Sequence, residues 1–261
     1  MNQWQKFLNK ITNPRRLTAY IRKKQKSIGI IKQNDYRKFI ILSRSRTGSN
    51  LLLSYLNVHP NIIANHEIFQ RPSKKSYQRI LEGQFRKYPK SVKAVGFKIF
   101  YNHPLGEENH DLWAELMDMK NLYIIHLKRR NILRTLLSLK LALESDKWIK
   151  YSPDQQRVYM KKAVSFEAKD LERGFKQTRQ WEQQGYAMFK DHPLLTIWYQ
   201  ELENKPNETF NKVAAFLGLE PCEIRTYLQK QNPEKSSDLI MNFEELKNNF
   251  LGTPWESYFL D

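Results

Sequence analysis

The chain has 261 residues, 40% of them hydrophobic and 13% aromatic, and carries a formal charge of +17. That is enough apolar content for one domain with a packed core, which excludes a disordered chain. The single Cys222 excludes an intrachain disulfide, and no apolar run approaches the roughly 18 residues of a membrane span.

The charge is uneven. Residues 1–38 hold eleven Lys/Arg against one acid, Asp35, so most of the basic character lies in the N-terminal segment. There Trp4, Phe7, Leu8 and Ile11 fall at helical spacing, and Leu17, Tyr20 and Ile21 repeat it after Pro14. The spacing predicts two short basic amphipathic helices within a separate segment, 1–36, ahead of a domain at 37–261. Such a segment suits peripheral contact with an anionic membrane surface; packing of its apolar face on the domain is the plain alternative. Nucleic acid is not expected, because no nucleic-acid fold signature accompanies the arm. The start is basic but no apolar signal stretch comes after it, so the expected location is cytoplasmic, peripheral on the inner face of a membrane if the arm binds it.

The stretch 37–58, RKFIILSRSRTGSNLLLSYLNV, organises the rest. Phe39 to Leu42 reads as a strand buried on both faces. Ser43 to Gly48 is a polar turn, and Ser49 to Val58 is helical through Leu51, Leu52, Tyr55, Leu56 and Val58. Strand, polar turn and helix form an anion site, because the first N–H groups of a helix lack internal partners and its dipole is positive there. Arg44 and Arg46 add full charges; Thr47, Ser49 and Asn50 add short donors. It is not a Walker A loop, which needs a second glycine and a Gly-Lys-Ser/Thr end.

Ile62 to Ala64 reads as a second strand, ending in Asn65-His66-Glu67-Ile68-Phe69. Residues 70–92 read as a loop with a helix near 76–87. Ala94 to Phe100 is a central strand with Lys98 inside it, and Asp111 to Asp118 a short helix. Asn121 to Leu127 is a buried strand running into Lys128, Arg129 and Arg130, then a helix over Ile132 to Leu143. Two strand-to-helix junctions rich in arginine would share one crevice in an open α/β sheet. Residues 154–186 read as one long helix with a core stripe through Val164, Ala168, Leu171, Phe175, Thr178 and Trp181. Leu194 to Trp198 is a strand, Asn207 to Leu217 a helix closed by Gly218, 220–240 a loop, and Phe243 to Phe250 a last helix. Alternating strands and helices predict a single α/β domain with a mainly parallel sheet flanked by helices. The six histidines are scattered, and no Cys/His cluster has metal-ligand spacing.

These motifs resemble those of sulfotransferases that use 3′-phosphoadenosine 5′-phosphosulfate (PAPS), over nearly all of 37–218. Ser45-Arg46-Thr47-Gly48-Ser49-Asn50 is similar to the family's 5′-phosphosulfate loop. Arg130 with Ser138 eight residues on resembles its 3′-phosphate site. Tyr199-Gln200-Glu201-Leu202 with Phe216-Leu217-Gly218 resembles its Tyr-Glu-Asp-Leu and Phe-Leu-Gly segment. The resemblance implies a P-loop-like fold, PAPS as co-substrate, the desulfated nucleotide PAP as product, and no metal. It implies that Arg46, with Thr47 and the amides of Gly48, Ser49 and Asn50, holds the 5′-phosphosulfate. It puts Arg130 and Ser138 on the 3′-phosphate and Tyr199 near the adenine. The cytosolic branch has a catalytic His two residues after a strand Lys; here Lys98 is followed by Ile99 and Phe100. The chain is closer to the carbohydrate-directed and bacterial glycolipid branch, which implies Glu67 as general base, His66 as its competitor and Lys98 assisting the transferring group. The C-terminal Arg-Lys-Gly loop of the cytosolic branch is absent, with Lys235-Ser236-Ser237 in its place. The expected acceptor is a carbohydrate or glycolipid hydroxyl, its site shaped by loops 70–92 and 101–110 with Tyr77, Phe85, Tyr88 and Tyr101. A P-loop-like nucleotide kinase or NTPase, and a non-catalytic basic membrane-binding module, are the alternatives.

Overall fold

The structure, a computed structural model, describes residues 32–71, 76–106, 110–145, 163–224 and 234–260. The two amphipathic helices expected before residue 32 lie outside the described residues. The described chain begins with a strand: β1 (Lys32–Gln33) pairs antiparallel with β4 (Tyr88–Pro89), and the Tyr36 ring meets Tyr88 edge-on at 5.7 Å.

The five-stranded sheet has the order β3 (Ile62–Asn65), β5 (Ala94–Phe100), β2 (Arg37–Ser43), β6 (Leu122–Lys128), β7 (Leu194–Trp198), all parallel. The apolar run of β2 is buried on both faces, as a central parallel strand must be. Phe39 and Ile41 point into one core with α1 (Ser49–Val58) and α7 (Pro206–Phe216); Ile40 and Leu42 point into another, with α2 (Tyr77–Gln84) and α3 (His110–Met117). A satellite core joins α4 (Ile132–Ser145) and α5 (Ala168–Met188) to α8 (Ser236–Leu239), α9 (Phe243–Asn249) and a 3₁₀ turn at Glu256–Phe259. Among the described residues no helix is long and apolar enough to cross a membrane.

Three expectations are corrected. The long helix starts at Ala168, and residues 151–162 are outside the described set. Val164 is not helical: its N–H donates to Leu239 O at 2.9 Å and its carbonyl accepts from Met241 N–H at 2.9 Å. Asn242 brackets Phe166 the same way, at 3.2 and 2.9 Å, so long-range partners take the backbone groups a helix would have used. Tyr199 opens a helix that no expectation covered, α6 (Tyr199–Asn204). The span 220–240 contains α8.

The chain leaves β2 toward β3 and leaves β6 toward β7, in opposite directions across the sheet. The loops after β2 and β6 therefore part and leave a crevice at the strands' C-terminal ends, where open α/β sheets bind ligands.

Candidate active site

The turn after β2 is wound by two residues of positive φ, Arg46 at 66° and Gly48 at 94°. Thr47 is buried and its hydroxyl donates to Arg44 O at 2.7 Å, closing the turn. Gly48 caps α1, whose own first turn carries no acidic side chain to offset its positive end. The amides of Gly48, Ser49 and Asn50 stand at that end, ahead of the first complete turn. A Cβ on Gly48 would sit 2.4 Å from Tyr199 Cδ2, so glycine is required both by φ and by space.

The second turn, after β6, meets the first. Arg46 Nε donates to Ser138 Oγ on α4 at 3.0 Å, and Arg129 Nη1 donates to Arg46 O at 3.3 Å. Burial lowers the pKa of Arg46; burial brings Arg129 down to about 10, so Arg129 remains a cation at neutral pH. The Arg129 guanidinium lies 4.4 Å over the Tyr199 ring, and the Tyr199 hydroxyl donates to Glu203 Oε1 at 3.2 Å. Tyr199 thus supports the turn from beneath, between Gly48 and Arg129. Arg130 is exposed, its guanidinium 4.9 Å over Trp198 and its N–H donating to Gln200 Oε1. Lys235 is exposed just before α8; its neighbours are pinned by Arg134, which donates to Glu234 O at 2.7 Å and Ser236 Oγ at 3.3 Å. Arg134 lies one turn before Ser138, so the 234–236 segment runs beside the second turn.

Lys98, inside β5, is 2% exposed. Its ammonium bonds Glu67 Oε1 at 2.9 Å and also donates to Asn50 Oδ1. Burial pushes the Glu67 carboxyl up, but the charge and hydrogen bond of Lys98 outweigh it, helped by His66, and the net direction is down. Burial lowers Lys98, Glu67 opposes this, and Arg46 adds to it. One row therefore runs from the α1 end through Asn50 and Lys98 to an ionised Glu67. His66 is exposed beside it.

Sequence reading missed three groups. Arg129 stood in a run of cations with nothing to mark which one turns inward. Arg134 looked like any helix arginine. His103 is 3% exposed, within electrostatic reach of Glu67 and Lys98, and burial lowers its pKa to about 4. Arg44, expected in the anion turn, instead reaches α5: it donates to Gly174 O and Thr178 Oγ1 and lies 5.2 Å over Trp181. Residues i and i+2 of an extended chain share a face, so it is the turn, with Arg46 at a φ of 66°, that sends Arg44 and Arg46 to different partners.

The sequence pattern of the Stf0 sulphotransferase family matches residues 115–245. Nodulation protein H of Rhizobium tropici is 33% identical over 235 residues, 85% of this chain and 92% of that protein. The chain belongs to the Stf0 sulfotransferase family. Nodulation protein H of Rhizobium meliloti (strain 1021) is 29% identical to this sulfotransferase over 85% of the chain and 94% of its own length. Among solved structures, a sulfotransferase from Alicyclobacillus acidocaldarius superposes with a TM-score of 0.49 at 16% identity, covering 81% of this chain and 90% of that one. Mouse sulfotransferase SULT7A1, complexed with PAP, gives 0.41 at 14% identity over 83% and 67%.

Proposed function

We propose that this sulfotransferase moves a sulfuryl group from PAPS to a hydroxyl of a carbohydrate or glycolipid. The observation that carries the reading is the meeting of two cationic turns, with Arg46 Nε 3.0 Å from Ser138 Oγ. PAPS is anionic at both ends, and a crevice with arginines on both sides answers that charge distribution.

In this reading Arg46 and the amides at the start of α1 hold the 5′-phosphosulfate, and Arg130 with Ser138 holds the 3′-phosphate. Arg129 and Tyr199 keep the turn in its wound shape. Sulfuryl transfer, like phosphoryl transfer, depends on in-line positioning and on stabilising charge as the bond to the leaving phosphate breaks. Arg46 and Lys98 supply that charge. When the donor binds, Lys98 gives part of its interaction with Glu67 to the sulfuryl oxygens. The carboxylate loses its main stabilising partner and becomes more basic, as a group taking the acceptor's proton must.

Isothermal calorimetry with PAP and labelled-sulfate transfer from PAPS across oligosaccharide, glycolipid and phenol acceptors test this. Micromolar PAP binding that weakens in Arg130→Ala is expected. Absence of PAP binding, or magnesium-dependent ATP hydrolysis in its place, overturns it.

A further inference from the structure

One face of α5 carries a buried polar cluster that reaches both cationic turns. Gly174, Thr178, Glu182 and Gly185 recur at spacings of four and three, so they share that face. A Cβ on Gly185 would stand 2.9 Å from Tyr101 Cε1 and 3.0 Å from Leu42 Cδ2, and one on Gly174 would stand 2.7 Å from Leu136 Cδ1. The two glycines let α5 lie close to β2 at one end and to α4 at the other. Tyr101, expected to meet a sugar, is packed there between His126 and Trp181. Glu182 is 6% exposed and accepts from Arg179 Nη1 at 2.9 Å. Arg179 Nη2 donates to the Tyr258 hydroxyl at 2.8 Å, and Tyr258 O accepts from Asn131 Nδ2 at 2.9 Å, beside Arg130 in the second turn.

Glu182 answers three cations. Burial raises its carboxyl, and Arg179, Lys128 and Arg44 all oppose that rise. Arg44 ties the first turn to Gly174 O and Thr178 Oγ1, the latter one helical turn from Glu182. Lys128 ends β6, where the second turn begins. Burial lowers both cations, Arg44 to about 10, and Glu182 opposes it in each. We infer that Glu182 is a positioning residue for the nucleotide site: one buried carboxylate gathers Arg44, Lys128 and Arg179, and so fixes the two anion-binding turns relative to each other. The inference rests on the sulfuryl-transfer reading above and adds what sets the spacing of its two anion sites. Without the carboxylate, three cations would stand together in a buried cluster, which is strongly unfavourable. Arg44 and Lys128 would swing toward solvent and take their turns with them. A nucleotide held at both ends tolerates little change in that spacing.

The sign of one measurement separates positioning from charge alone. Removing a negative charge beside an anion crevice makes the crevice more positive, and by charge alone tightens an anion. Loss of positioning weakens it. Glu182→Gln keeps the side chain's size and removes its charge. Calorimetric titration with PAP should show Kd raised about tenfold or more in this variant, with near-UV circular dichroism confirming the fold. Arg44→Met should weaken PAP as well. If Glu182 acts through Arg44, the double variant should lose about as much as the worse single one, not the sum of the two. A role in overall stability lowers the melting temperature but leaves the Kd of the folded protein, and its coupling to Arg44, unmoved. Should Glu182→Gln fail to fold, Tyr258→Phe decides in its place: it removes one hydroxyl from the Arg179 fork and should raise Kd about threefold. Unchanged or tighter PAP binding in the folded variant overturns the inference, as do effects of Glu182→Gln and Arg44→Met that simply add. A wild type that binds no PAP overturns the sulfuryl-transfer reading itself, and this inference with it; the wild-type titration tells the two failures apart.

Discussion

The Lys98 ammonium lies 2.9 Å from Glu67 Oε1, and the two side chains differ in exposure, 3% against 18%. The lysine is locked inside the sheet while the carboxylate reaches the crevice, so the pair couples a fixed charge to a group able to meet substrate. Replacing Lys98 by Met removes the largest interaction that holds the Glu67 carboxyl down and leaves burial, which pushes it up, opposed only by its backbone hydrogen bond and by His66. Glu67 serves as base only when ionised, so the acid limb of kcat/KM should move to higher pH in Lys98→Met. A carbon-13 titration of the Glu67 side chain checks the same shift without turnover. The rate itself should fall about 10²–10³-fold, as when one transition-state donor is removed. An acid limb that stays in place would remove Lys98 as the cause.

Arg130 and Ser138 should both matter to nucleotide binding, by different amounts. A charge-assisted contact to phosphate is worth roughly 1.5–3 kcal/mol, so Arg130→Ala should weaken PAP by about 10–100-fold. Ser138→Ala loses a neutral donor and should weaken it by about 3–10-fold. Calorimetry at fixed ionic strength measures both, because exposed Arg130 is screened by salt.

Gly48 is constrained twice, by a φ of 94° and by Tyr199 at 2.4 Å from where a Cβ would stand. Gly48→Ala should therefore unwind the turn and abolish measurable PAP binding, at a conformational cost of about 1–3 kcal/mol plus the clash. The double variant Gly48→Ala with Tyr199→Ala removes the clash but not the strain, so it should recover part of the binding lost by the single variant. Full recovery would mean that backbone conformation is unimportant there.

His126 is fully buried, shares a 2.6 Å hydrogen bond with the Tyr101 hydroxyl, and has its pKa lowered by burial, with Lys128 adding to it, from 6.5 to about 3. The unfolded chain therefore binds a proton that the folded one refuses between about pH 6.5 and 3. The stability this group contributes is full above pH 6.5 and is lost as pH falls through that window. The slope is about 1.4 kcal/mol per unit, or roughly 2 kcal/mol at pH 5. Urea midpoints at pH 7 and pH 5 should show that loss in the wild type and a smaller one in His126→Gln. Equal losses would place the pH dependence elsewhere.

The parallel sheet and its two arginine turns were legible in the chain because they depend on local patterns. β2, β5, β6 and β7 are short apolar runs bounded by polar turns, and α1 begins and ends where the pattern of Leu51, Leu52, Tyr55 and Leu56 places it. Glu67 and Lys98 also stood out, one at a strand end and one inside a strand. The start of α5 was not legible, because Val164 and Phe166 are held extended by residues 239–242, more than seventy positions away. No window of neighbours contains that information.

Composition and periodicity by themselves determined four of the five sheet strands closely, the fold class and the junctions where charge collects, since burial of apolar residues at periods of two and 3.6 is decided within each segment. Only the tertiary structure decided which cations turn inward. Arg44 and Arg46 are two residues apart, yet one packs on α5 and the other on Ser138; Arg129 and Arg130 are adjacent, yet one is half-buried with its guanidinium on Arg46 O and the other stays in solvent. A side chain's direction after a strand ends is set by the φ of the turn and by the rings and helices waiting on each side. Those partners come from distant parts of the chain.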